Sequence, residues 1–275
     1  MQKLWFITNP NSGSASREKC DALEAVFEER GLELVGRTYF PDETLPDEAA
    51  LADVDTVVLF AGDGTINAAI CHLADWDGSI LILPGGTMNL LAKALHDSLD
   101  PQAIVHLAHE GGRRVALPFA EAGGSRALVG LILGPVTRWA RAREIVREGR
   151  VRGLLRAVRL AWRRTFSRGI RVEGVPGLPQ RSQAVFVHPA EGHLDVAAID
   201  ARDWRSILEL GWEWLTGDWV AARAVTQVRT QSLRVAGNKP VLALFDGEPV
   251  TLAAHAPITG GTTRPIFVST KGASA

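Results

Sequence analysis

The stretch "LFAGDGTINAAI", Leu59–Ile70, decides the fold, because an apolar run ends in a glycine turn that opens directly into a helical pattern. Two glycines flank Asp63 in that turn, although a tight connection needs one glycine at most. This pattern indicates that a charged group approaches the backbone there. A loop that leads into a helix presents unpaired N–H groups and the positive end of the helix dipole, which together suit a phosphate.

The first half of the chain repeats this alternation of strands and helices. Strands separated by helices favour a parallel sheet with crossover helices. In such sheets ligands bind beyond the carboxyl ends of the strands, so we expect the loops "TNPNSG", "AGDGT" and "PGGTMN" to converge on one edge. Strands are predicted at "KLWFIT", "LELVGRTYF", "DTVVLFA" and "SILILP", and helices at Ser16–Arg30, "GTINAAICHLA" and "GTMNLLAKALH".

The second half predicts a different architecture. Short β-like runs such as "QAVFVHPA", "HLDVAAID" and "VLALFDGEPVTL" are punctuated by Gly, Pro and Asn, which favours an antiparallel sheet. Helical patterns interrupt these runs at 136–166 and 203–215. We therefore predict an α/β N-terminal domain at 1–115 and a mainly antiparallel β domain with helices at 116–260. A C-terminal tail at 261–275 is expected to return to the first domain.

Composition places the chain among folded soluble proteins. Hydrophobic residues make up 46% and charged residues 22% of its 275 residues. The N-terminus has no apolar run typical of a signal peptide, and the longest uncharged stretches are too short to span a bilayer. The two cysteines, Cys20 and Cys71, form no disulfide framework, so we expect a cytoplasmic protein.

A net charge of −1 conceals a strongly basic segment, since Arg138–Arg171 holds twelve arginines and two glutamates. Tryptophan and leucine are interleaved with these arginines, which predicts peripheral binding to an anionic membrane surface. The alternative is a solvated helix pair with internal salt bridges. Nucleic acid is not an expected partner, because no recognised nucleic-acid motif accompanies the segment. A second cluster favours core packing over a lipid pocket: Trp204, Trp212, Trp214 and Trp219.

Asp63 conflicts with a site built for phosphate alone, because a carboxylate repels phosphate. A bridging Mg²⁺ removes that conflict, since carboxylate and phosphate oxygens are its preferred ligands. The alternative is that Asp63 caps the helix that follows it. The sequence has no P-loop, GxGxxG, HExxH, CxxC or GxSxG motif, which leaves the three glycine loops as the candidate site.

Four motifs together resemble the diacylglycerol kinase catalytic family, which includes bacterial lipid kinases and sphingosine kinases. They are "NPNSG" (Asn9–Gly13), "GDGTIN" (Gly62–Asn67), "LPGGTMN" (Leu83–Asn89) and "DGEP" (Asp246–Pro249). The resemblance implies an ATP- and Mg²⁺-dependent kinase with the nucleotide in the cleft between its two domains. The nucleotide-binding residues that it implies are Asn9, Ser12, Thr38, Gly62, Asp63, Gly64, Thr65, Asn67, Gly86, Thr87 and Asn89.

The resemblance also implies catalytic and metal-binding residues. Glu248 takes the place of the family's general base, with Asp246 beside it and Asp63 acting through the metal. Some family members hold a structural Mg²⁺ near "HPAEGHLDV", which implies a metal site at Glu191, His188 and His193. Glu191 stands where the family has Asp, and the alternative is that it simply lies in a turn.

The leading hypothesis is a lipid kinase that acts on a diacylglycerol- or sphingosine-like hydroxyl at a membrane surface. One alternative is a kinase of the same superfamily with a soluble substrate such as NAD. Another is a non-catalytic nucleotide- or lipid-binding protein, because Ala61 replaces the first glycine of the family's GGDGT motif. The sequence does not identify which lipid is the acceptor, and it allows a homodimer as well as a monomer.

Overall fold

The computed structural model describes residues 1–10, 15–134, 169–182, 184–199 and 225–272. The chain divides into two compact units, Met1–Leu117 with Thr262–Ala275, and Pro118–Gly261. These boundaries lie within two residues of the predicted ones. The helices predicted at 136–166 and 203–215 lie outside the described residues.

Unit 1 alternates strands and helices as the sequence pattern predicts. Most elements begin and end within two residues of the predicted positions. In chain order they are β1 (Lys3–Thr8), α1 (Arg17–Glu29), β2 (Glu33–Tyr39), β3 (Thr56–Ala61), α2 (Asp63–His72), β4 (Ser79–Pro84), α3 (Leu90–Leu95), α4 (Pro101–Gly111) and β5 (Arg113–Val115), with a last strand, Ile266–Ser269, near the C-terminus.

Helix α3 starts later than predicted, which corrects the helix expected from Gly86. Residues 86–89 form a loop, because Asn89 adopts a left-handed conformation with φ 51° and ψ 46° that interrupts a right-handed helix. Its side chain bonds back to both backbone groups of Gly86 instead of extending the helix.

The sheet of unit 1 is parallel except at one edge. Its strand order is β2-β1-β3-β4, followed by the C-terminal strand and β5. The C-terminal strand pairs parallel to β4 and antiparallel to β5, so the end of the chain completes the sheet. Helices α1 and α4 pack on one face, where side chains such as Phe6, Phe27 and Phe60 are buried. The face opposite is equally apolar, since Ile7, Leu59 and Ile82 are buried as well.

The described part of unit 2 forms two antiparallel sheets, which confirms the predicted β architecture. Its strands are β6 (Pro118–Ala122), β7 (Ser125–Ala127), β8 (Leu131–Leu133), β9 (Val172–Glu173), β10 (Ala184–Ala190), β11 (His193–Ile199), β12 (Val225–Thr230), β13 (Ser232–Val235), β14 (Val241–Phe245), β15 (Glu248–Leu252) and β16 (Pro257–Thr262); the C-terminal strand of unit 1 is β17. One sheet has the order β12-β11-β10-β8-β14-β15 and the other β7-β6-β16-β13-β9. Side chains from both sheets form one core, to which Val187, Phe245 and Ile258 contribute.

Within unit 1, a buried histidine is hydrogen-bonded to the C-terminal segment of the chain. His96 is 3% exposed, and its Nε2 lies 2.9 Å from the carbonyl oxygen of Ile82. Because a carbonyl only accepts, Nε2 carries the hydrogen, and Nδ1 accepts the hydroxyl of Thr270 at 2.9 Å. Burial lowers the pKa of His96 to about 4, so the ring is neutral in the folded protein.

Because His96 is buried in its neutral form, we expect the folded protein to lose stability in mild acid. The unfolded chain protonates His96 near pH 6.5, whereas the folded chain does so only near pH 4. The contribution of the neutral His96 ring to the free energy of unfolding is therefore complete above pH 6.5, and it falls by about 3 kcal/mol as the pH drops to 4. The free energy of unfolding is measured with urea at several pH values between 7 and 4. Between pH 6 and pH 4.5 its slope against pH is expected to be smaller in His96→Gln than in the wild type by up to about 1.4 kcal/mol per pH unit.

His109→Gln is the matched control, because His109 is an exposed histidine of α4 in the same unit. It is expected to leave the slope unchanged. Equal slopes in the wild type and in His96→Gln would contradict the prediction.

Candidate functional site

The three polar loops predicted from the sequence meet at one edge of the unit 1 sheet. Strands β1, β3 and β4 are parallel neighbours, and their last residues are in register, with Thr8 opposite Phe60 and Ala61 opposite Pro84. We call the segments that follow these strands loop 1 (of which residues 9, 10, 15 and 16 are described), loop 2 (Gly62 with the first residues of α2, 63–65) and loop 3 (85–89). Because β2 and β3 lie on opposite sides of β1, the strand order reverses beside β1. Open α/β sheets bind ligands at such a switch point.

Loop 1 is bonded to loop 2 through two side chains. The amide nitrogen of Asn9 donates to the hydroxyl oxygen of Thr65 at 3.0 Å. Thr65 is 9% exposed, so this bond is made beneath the surface of the loops. The structure therefore brings together two of the residues predicted to contact a nucleotide.

Loop 2 is bonded to loop 3 through Asp63. One carboxylate oxygen accepts the backbone N–H of Asn89 at 3.0 Å, and the other accepts that of Leu90 at 2.8 Å. The sequence left open whether Asp63 caps the helix that follows it, α2. The structure corrects this, since Asp63 begins α2 but accepts from the start of α3.

The glycines of loop 3 allow the two loops to touch. A Cβ atom at Gly85 would lie 2.6 Å from the backbone nitrogen of Ala61, and one at Gly86 would lie 2.7 Å from the Cα of Gly62. Both neighbours are backbone atoms, which cannot move aside as a side chain can. These glycines are therefore required by contact between the loops.

Burial and hydrogen bonding act in opposite directions on Asp63. Burial raises the pKa of its carboxyl group, whereas the N–H groups of Leu90 and Asn89 lower it. Burial prevails, so the pKa lies above its ordinary value. The carboxylate is thus costly to keep charged, and its bonds to loop 3 offset part of that cost.

Ala61, which replaces a family glycine, fits its position. It is the last residue of β3, is 1% exposed, and is not among the described residues that have a positive φ. The backbone conformation therefore does not require glycine there.

Other predicted nucleotide-binding residues have different surroundings. Thr38 is 2% exposed, and its hydroxyl accepts the indole N–H of Trp5 at 3.0 Å. Thr87 is exposed in loop 3, and the side-chain oxygen of Asn67 accepts from the thiol of Cys71 one turn along α2. Ser12 lies outside the described residues. The structure thus brings Thr87 to the surface of the loops and leaves Thr38 within the sheet.

Asp246, predicted to be catalytic, is bonded to the backbone of unit 2. Its carboxylate accepts the N–H groups of Leu128, Val129 and Gly130 at 2.7–2.8 Å. Asp246 is 8% exposed, so these bonds are shielded from water. The arrangement holds the segment between β7 and β8 in place, a role that the sequence did not predict.

Glu248 begins strand β15, directly after a two-residue hairpin turn. Asp246 and Gly247 both have positive φ, 48° and 92°, as a type I′ turn requires. The pair Asp-Gly between two apolar strands is a strong hairpin signal, so the sequence could have predicted this turn. The turn leaves Glu248 exposed, and its role as general base stays a prediction.

The metal site predicted at Glu191, His188 and His193 stays a prediction. These residues lie in or beside the β10–β11 hairpin, where Nδ1 of His193 lies 2.9 Å from the backbone oxygen of Glu191. Nδ1 of His188 lies 2.9 Å from the backbone oxygen of Val129. Across the described ranges, no group of three or more His, Cys, Asp or Glu residues is arranged to hold a metal ion.

The predictions about membrane contact concern other parts of the chain. The segment Arg138–Arg171 and the four tryptophans at 204–219 lie outside the described residues, apart from the last few positions of the first. None of the helices that the structure describes combines the length and the apolar character needed to cross a bilayer. The prediction that a nucleotide binds between the two domains likewise stays a prediction.

A family model matches the first unit of the chain. Residues 3–117 match the family model described as "Diacylglycerol kinase catalytic domain". A "Putative lipid kinase" of Streptococcus pneumoniae serotype 4 is 32% identical over 114 residues, which cover 36% of this chain and 36% of that protein. A "Probable lipid kinase YegS-like" of Pseudomonas aeruginosa is 34% identical over 108 residues, covering 38% of this chain and 36% of that protein. The matches thus span about a third of these relatives.

The fold of the whole chain resembles a solved structure. A crystal structure of a "putative diacylglycerol kinase" from Bacillus anthracis str. Sterne superposes with a TM-score of 0.68 and covers 98% of this chain and 97% of that one. Its identity is 17%, so this likeness concerns the fold. Together the comparisons confirm the resemblance to the diacylglycerol kinase catalytic family.

Proposed function

We propose that this chain, whose residues 3–117 match the diacylglycerol kinase catalytic domain, transfers the γ-phosphoryl group of ATP to a lipid hydroxyl. The observation that carries the proposal is the set of three loops at the carboxyl ends of β1, β3 and β4, in which loop 2 is hydrogen-bonded both to loop 1 and to loop 3. This set lies within the matched residues and at the switch point of the sheet, where nucleotides bind in open α/β folds.

The start of α2 suits the phosphates of the nucleotide. Helices α1 and α4 are capped by the side chains of Ser16 and Asp100, whereas the N-cap of α2, Gly62, makes no side-chain capping bond. Its first N–H groups therefore remain the natural partners of an anion at this position. The missing Cβ atoms of Gly62 and Gly64 let that anion approach the backbone.

A Mg²⁺ ion would arrive with the nucleotide. In kinases this ion is held largely by phosphate oxygens with one or two carboxylates, and not by a dedicated protein cage. When bound, the ion neutralises charge on the transferred phosphoryl group.

Glu248 is the residue to which we assign the acceptor's proton. It is exposed, whereas the neighbouring carboxylate of Asp246 is committed to three backbone N–H groups. As the acceptor oxygen bonds to the γ-phosphorus and the bond to ADP breaks, the hydroxyl proton passes to the Glu248 carboxylate. The assignment uses Glu248 alone as base and leaves Asp246 to hold the hairpin.

A lipid acceptor at a membrane surface is supported by the names of the matched relatives and by the basic segment of the sequence. Twelve arginines between Arg138 and Arg171 suit an anionic surface. A kinase of this kind works in the cytoplasm as a peripheral membrane protein. A soluble acceptor such as NAD would need neither the surface nor the arginines.

The test is transfer of labelled γ-phosphate from ATP and Mg²⁺ to liposomes made from a lipid extract. We expect label in the organic phase, increasing with the anionic lipid content of the liposomes, and the labelled product identifies the acceptor. Label transferred equally to a soluble acceptor without liposomes would favour the soluble-substrate kinase. ATP binding with no transfer to any acceptor would favour a binding protein on this scaffold.

A further inference from the structure

We propose that Asp63 is a positioning residue, whose carboxylate holds loop 3 against loop 2, and that it does not act as a ligand of the metal. The proposal rests on the proposed function, since it concerns how these loops bind the nucleotide. It replaces the role through Mg²⁺ that the sequence pattern predicts for this acid.

Each oxygen of Asp63 accepts one backbone N–H from loop 3 or from the residue that follows it. The two oxygens accept from two consecutive residues, Asn89 at 3.0 Å and Leu90 at 2.8 Å. Two such bonds from the two oxygens of one planar group fix both the position and the orientation of the segment that donates them. Asp63 is itself anchored, because its backbone forms the first residue of α2.

Loop 3 needs an acceptor from outside itself. Asn89, the N-cap residue of α3, makes no side-chain capping bond to its own helix, because its side chain bonds to both backbone groups of Gly86. Its left-handed backbone also prevents α3 from starting earlier and using more of its own turns to hold the segment. A helix of six residues also has little stability of its own. The carboxylate of Asp63 supplies a hydrogen-bond acceptor from outside the loop.

The consequence for the proposed reaction concerns Thr87, which lies between Gly86 and Asn89 at the exposed surface of loop 3. Asn89 fixes this short segment in two ways. Its side chain bonds to Gly86 within loop 3, and its backbone N–H bonds to Asp63 in loop 2. A nucleotide that contacts Thr87 therefore meets a preorganised loop, and less ordering has to accompany binding.

A cation on the Asp63 oxygens would compete with these bonds. The N–H hydrogens of Asn89 and Leu90 carry partial positive charge and point at the same two oxygens that a metal would use. Each oxygen keeps a second lone pair, but an ion bound there would lie beside these N–H groups, and their partial positive charge lowers the affinity of the carboxylate for the ion. We therefore assign the Asp63 carboxylate to the backbone N–H groups at the end of loop 3 and not to a metal ion.

The first experiment measures loop 3 without any ligand. Amide hydrogen exchange at Asn89 and Leu90 is expected to become about tenfold faster in Asp63→Asn, which keeps one acceptor oxygen, and about a hundredfold faster in Asp63→Ala. Asp55→Asn is the matched control, because Asp55 also accepts two backbone N–H groups, from Gln2 and Lys3, away from the loops. It is expected to leave exchange in loop 3 unchanged.

The second experiment separates positioning from metal binding in the phosphoryl transfer assay. Asp63→Asn is expected to raise the KM for ATP about tenfold and Asp63→Ala further, while the Mg²⁺ concentration for half-maximal rate changes less than about twofold. Asp55→Asn is expected to change neither value. A Mg²⁺ requirement raised tenfold or more, with unchanged exchange at Asn89 and Leu90, would make Asp63 a metal ligand and overturn the proposal.

The two experiments also distinguish this proposal from the proposed function. If the wild type transfers no phosphate, exchange at Asn89 and Leu90 still decides whether Asp63 holds loop 3. Equilibrium binding of ATP with and without Mg²⁺ then replaces the kinetic constants. Unchanged exchange in both Asp63 variants overturns the proposal whatever the enzyme does.

Discussion

Replacing Glu248 by glutamine is expected to lower the rate of phosphoryl transfer by about a hundredfold to ten-thousandfold, the usual contribution of a general base. Glutamine has nearly the same shape but cannot accept the acceptor's proton. Binding of ATP is expected to change less than about twofold, because the proposed role of Glu248 concerns the proton of the acceptor and not the nucleotide. The measurement is kcat in the liposome assay together with the Kd for ATP.

Glu173→Gln is the control for this substitution. Glu173 is an exposed glutamate of unit 2 in the other antiparallel sheet, so it removes one negative charge from the same unit. We expect its kcat to match the wild type. If Glu248→Gln retains full kcat, Glu248 is not the base, and the exposed carboxylates of unit 2 have to be tested one by one.

Replacing Asp246 by alanine is expected to lower the free energy of unfolding by about 3–5 kcal/mol, one of the largest effects of a single substitution here. Three backbone N–H groups lose a charged acceptor at 2.7–2.8 Å, and those of Leu128 and Gly130 are buried. Urea unfolding measures the change. Asp246→Asn is expected to lose less, because asparagine keeps one acceptor oxygen and tolerates a positive φ.

His255→Ala is the control for the cost of the backbone conformation. His255 has a φ of 58°, close to the 48° of Asp246, and its side chain is exposed in the same unit. His255→Ala also removes one exposed hydrogen bond, to Asn238 at 3.1 Å, so the difference between the two alanine variants is a lower bound on what the three N–H bonds contribute. Equal losses in both variants would show that the turn conformation, and not the carboxylate, accounts for the stability.

Local patterns were sufficient to predict the elements that carry the candidate site. The apolar run before Gly62, the helical spacing after it, and the same pattern around loops 1 and 3 predict a parallel sheet with its loops at one edge. Strand and helix periodicity depends on neighbouring residues, so it can be recognised in the sequence. The predicted start of α3 was wrong by four residues. The left-handed backbone of Asn89 is stabilised by its contacts in the folded protein, which the local sequence pattern does not show.

The roles of the acidic residues were less predictable. The Asp-Gly pair at 246–247 signals a hairpin turn, but nothing in it identifies Leu128–Gly130 as the partners of the carboxylate. Likewise, no local pattern shows that Asp63 accepts from α3 instead of capping α2. A carboxylate beside glycines suits a metal, a helix cap or a loop contact equally well until its neighbours in space are known.

The sequence by itself therefore determined the order of strands and helices, the position of the three glycine loops, and the family whose motifs they resemble. Only the tertiary structure decided which backbone groups each carboxylate accepts, because these partners lie 26 to 118 residues away along the chain. Hydrogen bonds over such separations form only when distant strands pair and bring their loops together. For this reason Asp63 is a candidate metal ligand in the sequence and the connection between two loops in the folded protein.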